Sequence, residues 1–203
     1  MSELDDHDAY YGYAPTVVID RPLAIVGFVG SGVVDVGGAL SQRTGLSLIE
    51  VPRWVEHAAG KSLSHLAFTE GEPRLRALER EAVARALRDR PVGIVTLGDS
   101  TLVDDEARAQ LLSQATVVYV ARDLDFLIAA VREELARAPG SVRELMHHSH
   151  VDDAAIAALF AERRASYERA HVIIEAGTRP STAIAEELLL GLRNGTLSST
   201  KRA

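Results

Sequence analysis

Apolar residues recur along the chain in two alternating patterns. Short, nearly continuous runs fall at Leu23–Gly27, Leu46–Val51, Val92–Leu97, Thr116–Val120 and Val172–Glu175. Runs this short and this apolar read as strands buried on both faces, as in a parallel sheet. Between them, apolar positions return every three or four residues: Val33, Val36 and Leu40; Leu75, Leu78, Ala82 and Ala86; Leu124, Leu127, Val131 and Leu135; Ile156, Leu159 and Tyr167; Ile184, Leu188 and Leu192. That is the spacing of helices with one buried face. Pro73 suits a first turn, Asp152 a cap, and Asp104, Asp105 and Glu106 the start of a further helix. Asn194-Gly195 stops the last helix. Strands and helices in alternation predict an α/β three-layer sandwich, a five-stranded parallel sheet with helices on both faces.

A length of 203 residues suits one domain of this kind, and we place it at residues 21–193. Residues 1–20 stand apart, with Glu3, Asp5, Asp6, Asp8 and Asp20 and no lysine or arginine. They read as an acidic, tyrosine-rich tail. Residues 3–13, which include Tyr10, Tyr11 and Tyr13, are a candidate protein-docking segment. Residues 194–203 read as a polar C-terminal tail. The chain has no cysteine, which excludes thiol catalysis, a disulfide scaffold and cysteine-held metals. A net charge of −7 argues against nucleic acid and anionic membranes as partners. No apolar run reaches membrane-spanning length, and the N-terminus lacks the features of a secretory signal. A cytoplasmic protein is expected.

The first strand runs into Gly27-Phe28-Val29-Gly30-Ser31-Gly32, which opens the first helix. A phosphate-binding loop requires that context and the glycine spacing of Gly27 and Gly32. A working loop continues with lysine, which holds the β- and γ-phosphates, and then a hydroxyl residue, which holds Mg²⁺. Here those positions are Val33 and Val34. The backbone N–H groups of Gly30–Val34 can still form an anion nest at a helix N-terminus. Asp35, in the first turn, opposes a phosphate.

Arg163 interrupts the stripe Ile156–Leu159–Tyr167, where a solvated arginine does not belong; it reads as ion-paired or as facing an internal anion. Arg76 stands in a helix's first turn, against the macrodipole. His147, His148 and His150 read as a polar loop rather than a metal site, His57 and His65 as ordinary helix or loop residues, and Trp54 as a packing anchor near the pocket mouth.

From Pro22 to Leu192 the chain resembles the shikimate kinases, small P-loop enzymes of the nucleoside-monophosphate-kinase group. The resemblance is carried, in the family's order and spacing, by GFVGSGVVDVGGAL, by Glu50-Val51-Pro52, by Glu56 and Gly60, and by Gly71-Glu72-Pro73-Arg74-Leu75-Arg76 with Glu79. Thr96-Leu97-Gly98-Asp99, Arg143-Glu144-Leu145 and Arg163 with Tyr167 complete it. It implies the P-loop kinase fold. It also implies that Arg76 and Arg163 hold a substrate carboxylate, that Arg143 lies on a lid, and that Glu50 and Gly98 line the same anion or substrate pocket.

The departures fall on the chemistry. Val33 and Val34 replace the family's lysine and hydroxyl. Glu50 and Pro52 stand for its paired aspartates. Leu97 and Asp99 break its glycine triplet. These losses predict a non-catalytic member that keeps a pocket for a small carboxylate or docks a protein, with no catalytic residue, no metal and no cofactor. Two readings stay open beside it: a residual Mg·ATP-dependent kinase of shikimate or a related molecule, and a docking module acting through the acidic tail.

Overall fold

The computed structural model describes residues 17–88, 93–137 and 151–197. Five strands, β1 (Leu23–Val26), β2 (Leu48–Glu50), β3 (Ile94–Thr96), β4 (Thr116–Ala121) and β5 (Val172–Glu175), form one sheet in the order β2-β3-β1-β4-β5. Every pairing is parallel, with Ile25 opposite Thr96 on one side and Val118 on the other. The expected strands are all present, each with ends within two residues of the apolar run that marked it.

β1 lies at the centre and shows why the runs are uniformly apolar. Leu23 and Ile25 enter one core, Ala24 and Val26 the other, and all four are buried. Helices α1 (Val33–Thr44) and α8 (Ser181–Arg193) cover the Leu23 face through Val36, Leu40, Ile184 and Leu188. The opposite face takes α2 (Val51–Ala59), α3 (Leu63–Glu70), α4 (Glu72–Arg88), α5 (Asp105–Gln114), α6 (Leu124–Arg137) and α7 (Asp153–Tyr167). α1 sits so close to β3 that a Cβ on Gly37 would overlap the Thr96 side chain.

Two helices have no counterpart among the expected ones. α2 begins directly after β2, with Pro52 in its first turn, and buries only Val51 and Val55. α3 is capped by Ser62, whose Oγ accepts the His65 N–H at 3.2 Å. Trp54 lies on α2, packed against the core with the Arg85 guanidinium 5.8 Å from its ring centre. It is a packing anchor. Val17 is buried, Ile19 packs against the same core, and Leu197 closes on Gly191, although all three fall in segments expected as tails. The docking segment 3–13, Arg143 and the three histidines at 147–150 lie outside the described residues.

Candidate active site

The chain leaves β1 through Gly27–Gly32 and enters α1 at Val33. Gly30 has φ 82° and Gly32 φ 76°, in the left-handed region that favours glycine. Gly30 is doubly constrained, because a Cβ there would lie 2.9 Å from that of Ala130 on α6. The Ser31 N–H donates to the Phe28 carbonyl at 2.9 Å, closing the turn. Phe28 is buried and meets Phe160 of α7 edge-on, with ring centres 5.4 Å apart. Gly32 caps α1 without a side chain, and the first bond inside the helix runs from the Val36 N–H to the Gly32 carbonyl at 3.0 Å. The N–H groups before Val36 therefore have no partner within the helix.

Beside this helix end is a cavity of about 450 Å³, within the range of small-molecule sites. The loop and the first turn of α1, Gly27 to Asp35, line it, with Pro52, Gly98 and Asp99 opposite and Glu133, Glu134 and Arg137 of α6 at the rim. Val33 and Val34 differ in burial: Val33 packs into the core with Val36 and Leu40, while Val34 is 46% exposed. Neither offers a charge or an oxygen. The wall carries more carboxylates than cations, so a bare polyphosphate would be repelled and a cation-neutralised one would not.

Beyond Gly98 lies a compact charged cluster. Arg76 of α4 donates to Glu79 at 2.5 Å, pairs with Glu72 and bonds the Ser100 hydroxyl. Burial opposes charge on Arg76, but Glu79 and Glu72 outweigh it and hold its pKa above the usual arginine value. Glu79 is only 4% exposed; burial pushes its carboxyl up against the pull of Arg76. Arg163 of α7 forms an ion pair with Asp99. One turn later, the Tyr167 hydroxyl donates to the Asp99 backbone carbonyl. Burial, and then the Asp99 charge, raise the pKa of Tyr167. The space enclosed between Arg76, Asp99, Ser100 and Arg163 is about 10 Å³, enough for one water at most.

A third feature escaped the sequence reading. Arg122 follows the last residue of β4 and is 6% exposed. Its Nε donates to the Ser31 carbonyl at 3.2 Å, and its Nη1 donates to the Gly177 carbonyl at 3.1 Å and to that of Arg179. The guanidinium stacks 4.5 Å from the Phe126 ring centre and, among the described residues, makes no ion pair. Burial, then Arg179, lower its pKa. Its Nη2 lies 3.9 Å from where a Cβ of Gly32 would sit. It is thus a buried cation fastening the glycine loop to the β5–α8 connection. The available signal was its place at the carboxyl end of a parallel strand, where ligands of such sheets bind.

A sequence model described as shikimate kinase matches residues 29–193. The chain belongs to the shikimate kinase family. The shikimate kinase of Thermobifida fusca is 41% identical over 113 residues, 55% of this chain and 63% of that enzyme. That of Deinococcus radiodurans is 31% identical over 180 residues, 86% of each chain. Among solved structures, the shikimate kinase of Acinetobacter baumannii in complex with shikimate superposes with a TM-score of 0.75 at 20% identity, covering 86% of this chain and 94% of that one. The Aquifex aeolicus shikimate kinase gives 0.66 at 23% identity, with 88% and 99% covered. At these identities the structures speak for the fold.

These matches overturn the expectation of a non-catalytic protein. The relatives that align over most of the chain are shikimate kinases, and the matched span takes in Val33, Val34, Pro52 and Asp99 along with the retained residues. The expectation of no cofactor loses its basis with it. Of the anticipated site residues, Gly27, Gly30, Ser31, Gly32, Val33, Val34 and Gly98 line one cavity. Arg76 and Arg163 meet in the adjoining cluster. Glu50 lines neither: it is the last residue of β2, half-buried, with Arg53 at 3.9 Å. The helix starts at once after it, and Pro52 takes the place on the cavity wall.

Proposed function

We propose that the protein is an ATP-dependent small-molecule kinase of the shikimate kinase type. It transfers the γ-phosphoryl group of Mg·ATP to a hydroxyl of a small carboxylic acid, with shikimate the first acceptor to test. The observation that carries this reading is the arrangement of two sites. An open helix N-terminus on a glycine loop shares a 450 Å³ cavity with Gly98 and Asp99, directly beside the Arg76–Arg163 cluster.

In this reading the loop N–H groups and the end of α1 hold the phosphates. Arg122 keeps the loop in register and brings a positive charge behind it. Arg76 and Arg163 recognise the acceptor's carboxylate. Among the described residues no group of three or more histidines and carboxylates forms a cage for a resident metal. The Val34 side chain offers no oxygen, and Asp35 is the carboxylate in the first turn of α1. That donor set fits a magnesium ion carried by the nucleotide, held by phosphates and one carboxylate. When bound, the ion neutralises charge on the β- and γ-oxygens.

The lysine's absence sets the expected rate. Removing one charge-stabilising donor costs about 10²–10³ in kcat. Kinases commonly turn over at about 1–100 s⁻¹, which puts this one on the order of 0.001–1 s⁻¹. The test is calorimetric titration with Mg·ATP, together with shikimate-dependent release of ADP. Saturable nucleotide binding and ADP formation that requires shikimate support the reading. No nucleotide binding up to millimolar concentration and no shikimate-dependent ADP would overturn it.

A further inference from the structure

Asp99 stands where two sites meet. Its residue lines the large cavity beside Gly98, and its side chain reaches the arginine cluster behind. There the carboxylate is paired with Arg163, and both side chains are largely buried, at 16% and 10% exposed. The backbone is fixed as well, because the Asp99 carbonyl accepts the Tyr167 hydroxyl. Arg76, the other guanidinium of the cluster, is engaged by Glu72, Glu79 and Ser100. Three carboxylates thus face two guanidinium groups in a space with about 10 Å³ left. Among the described residues, a carboxylic acid arriving at this cluster from the large cavity meets no uncompensated cation and no room.

We propose that Asp99 is a built-in competitor for the acceptor carboxylate: its side chain occupies Arg163, and an acidic acceptor binds only by displacing it. This rests on the reading of Arg76 and Arg163 as the acceptor's carboxylate site. Displacement is feasible because Asp99 borders the 450 Å³ cavity, so its carboxylate can turn toward solvent there while Tyr167 holds the backbone. The exchange is carboxylate for carboxylate on one guanidinium, near neutral in charge. Its cost appears as weakened acceptor affinity. Asp99 is therefore a specificity-determining residue: it penalises acidic acceptors and leaves uncharged ones untouched.

The experiment compares the wild-type protein with Asp99→Asn and Asp99→Ala. Asparagine keeps the volume and removes the charge; alanine removes both. Thermal melting establishes that each is folded, and Asp99→Ser replaces either one that is not. Shikimate and its uncharged methyl ester are titrated into each protein by calorimetry, which needs no turnover. The proposal expects at least a tenfold gain in shikimate affinity in the folded variants, no comparable gain for the ester, and a fall in KM that exceeds any change in kcat. Unchanged or weaker shikimate binding in the folded variants overturns it, as does an equal gain for the ester. The two readings fail separately. Tighter shikimate binding without ADP release sinks the kinase reading and keeps the competitor. Turnover with an unchanged KM for shikimate does the reverse.

Discussion

Replacing Arg122 with methionine tests whether a single buried cation organises the glycine-loop side of the cavity. The guanidinium donates to the carbonyls of Ser31, Gly177 and Arg179. Hydrogen bonds made by a charged group contribute about 1.5–3 kcal/mol each. Not all of that is lost. Gly177 is half-buried and Arg179 exposed, so their carbonyls can turn to water, whereas Ser31 is 2% exposed. Methionine also keeps a flexible apolar stem over Phe126, and the cost of burying a charge disappears. What remains is mainly the stranded Ser31 carbonyl and the lost tie between two loops, about 2–3 kcal/mol. For a domain of this size that lowers Tm by roughly 5–10 °C. The loosened loop also presents its N–H groups less well, so Mg·ATP affinity falls by about tenfold or more, equivalent to about 1.4 kcal/mol. Arg122→Lys, which keeps the charge but lacks the planar fork, falls between. Calorimetry and thermal melting of the three proteins read both effects. An Arg122→Met protein that melts within a degree or two of wild type and binds Mg·ATP equally well would refute the reasoning.

Three further outcomes follow from particular contacts. Gly30→Ala forces a side chain into a φ of 82° and places its Cβ 2.9 Å from that of Ala130; the left-handed conformation alone costs about 1–2 kcal/mol, and Mg·ATP titration is expected to show lost binding in a protein that still folds. Phe28→Ala removes a fully buried ring packed edge-on against Phe160 and is expected to cost about 3–5 kcal/mol in denaturant unfolding. His171 accepts the Val117 N–H at Nδ1, 3.0 Å away, and burial, then Arg21, hold its pKa below the ordinary histidine value. Because the neutral form is favoured in the folded protein, its contribution is complete above the unfolded value of about 6.5 and is lost as pH falls below it. His171→Ala should therefore flatten the pH dependence of Tm on the acid side of 6.5, while at pH 8 the lost hydrogen bond costs about 0.5–1.5 kcal/mol, because His171 is exposed and water can reach the freed N–H.

How much of this was legible in the sequence depended on the range of the signal. β1, β3 and β4 are apolar at nearly every position because both faces of the sheet are covered, and that pattern needs no partner to be read. α2 and α3 are short and bury only two or three residues each, so their signals, Val51, Trp54 and Val55 at helical spacing behind Pro52 and the Ser62 cap of α3, were passed over. Arg163 was recognisable as a cation on an apolar face. Its partner Asp99 lies 64 residues away, and nothing local in either segment announces the pair. Glu50 was placed on the pocket by the resemblance alone, because Glu50-Val51-Pro52 aligns with the family's paired aspartates. The immediate start of α2 turns the chain at that point and brings Pro52 to the cavity instead. Arg122 was one arginine among many until folding set the Ser31, Gly177 and Arg179 carbonyls around it.

The replaced positions form a coherent set once their charges are considered together. Relative to the family pattern, valine at 33 removes a positive charge and proline at 52 removes a negative one, both lining the same cavity. The two losses leave the net charge seen by an approaching nucleotide nearly unchanged. Asp99 adds a negative charge, but Arg163 takes it up. In the proposed kinase, binding of Mg·ATP depends on that net field and on the loop's N–H donors, which are retained. Phosphoryl transfer depends on where individual charges stand relative to the moving group. Losing a matched pair therefore weakens the chemical step far more than it weakens nucleotide binding. Restoring one member alone, lysine at Val33, would leave a cation without its counterpart on the opposite side of the reacting group. The two act as a unit, and their effects on kcat should be strongly non-additive.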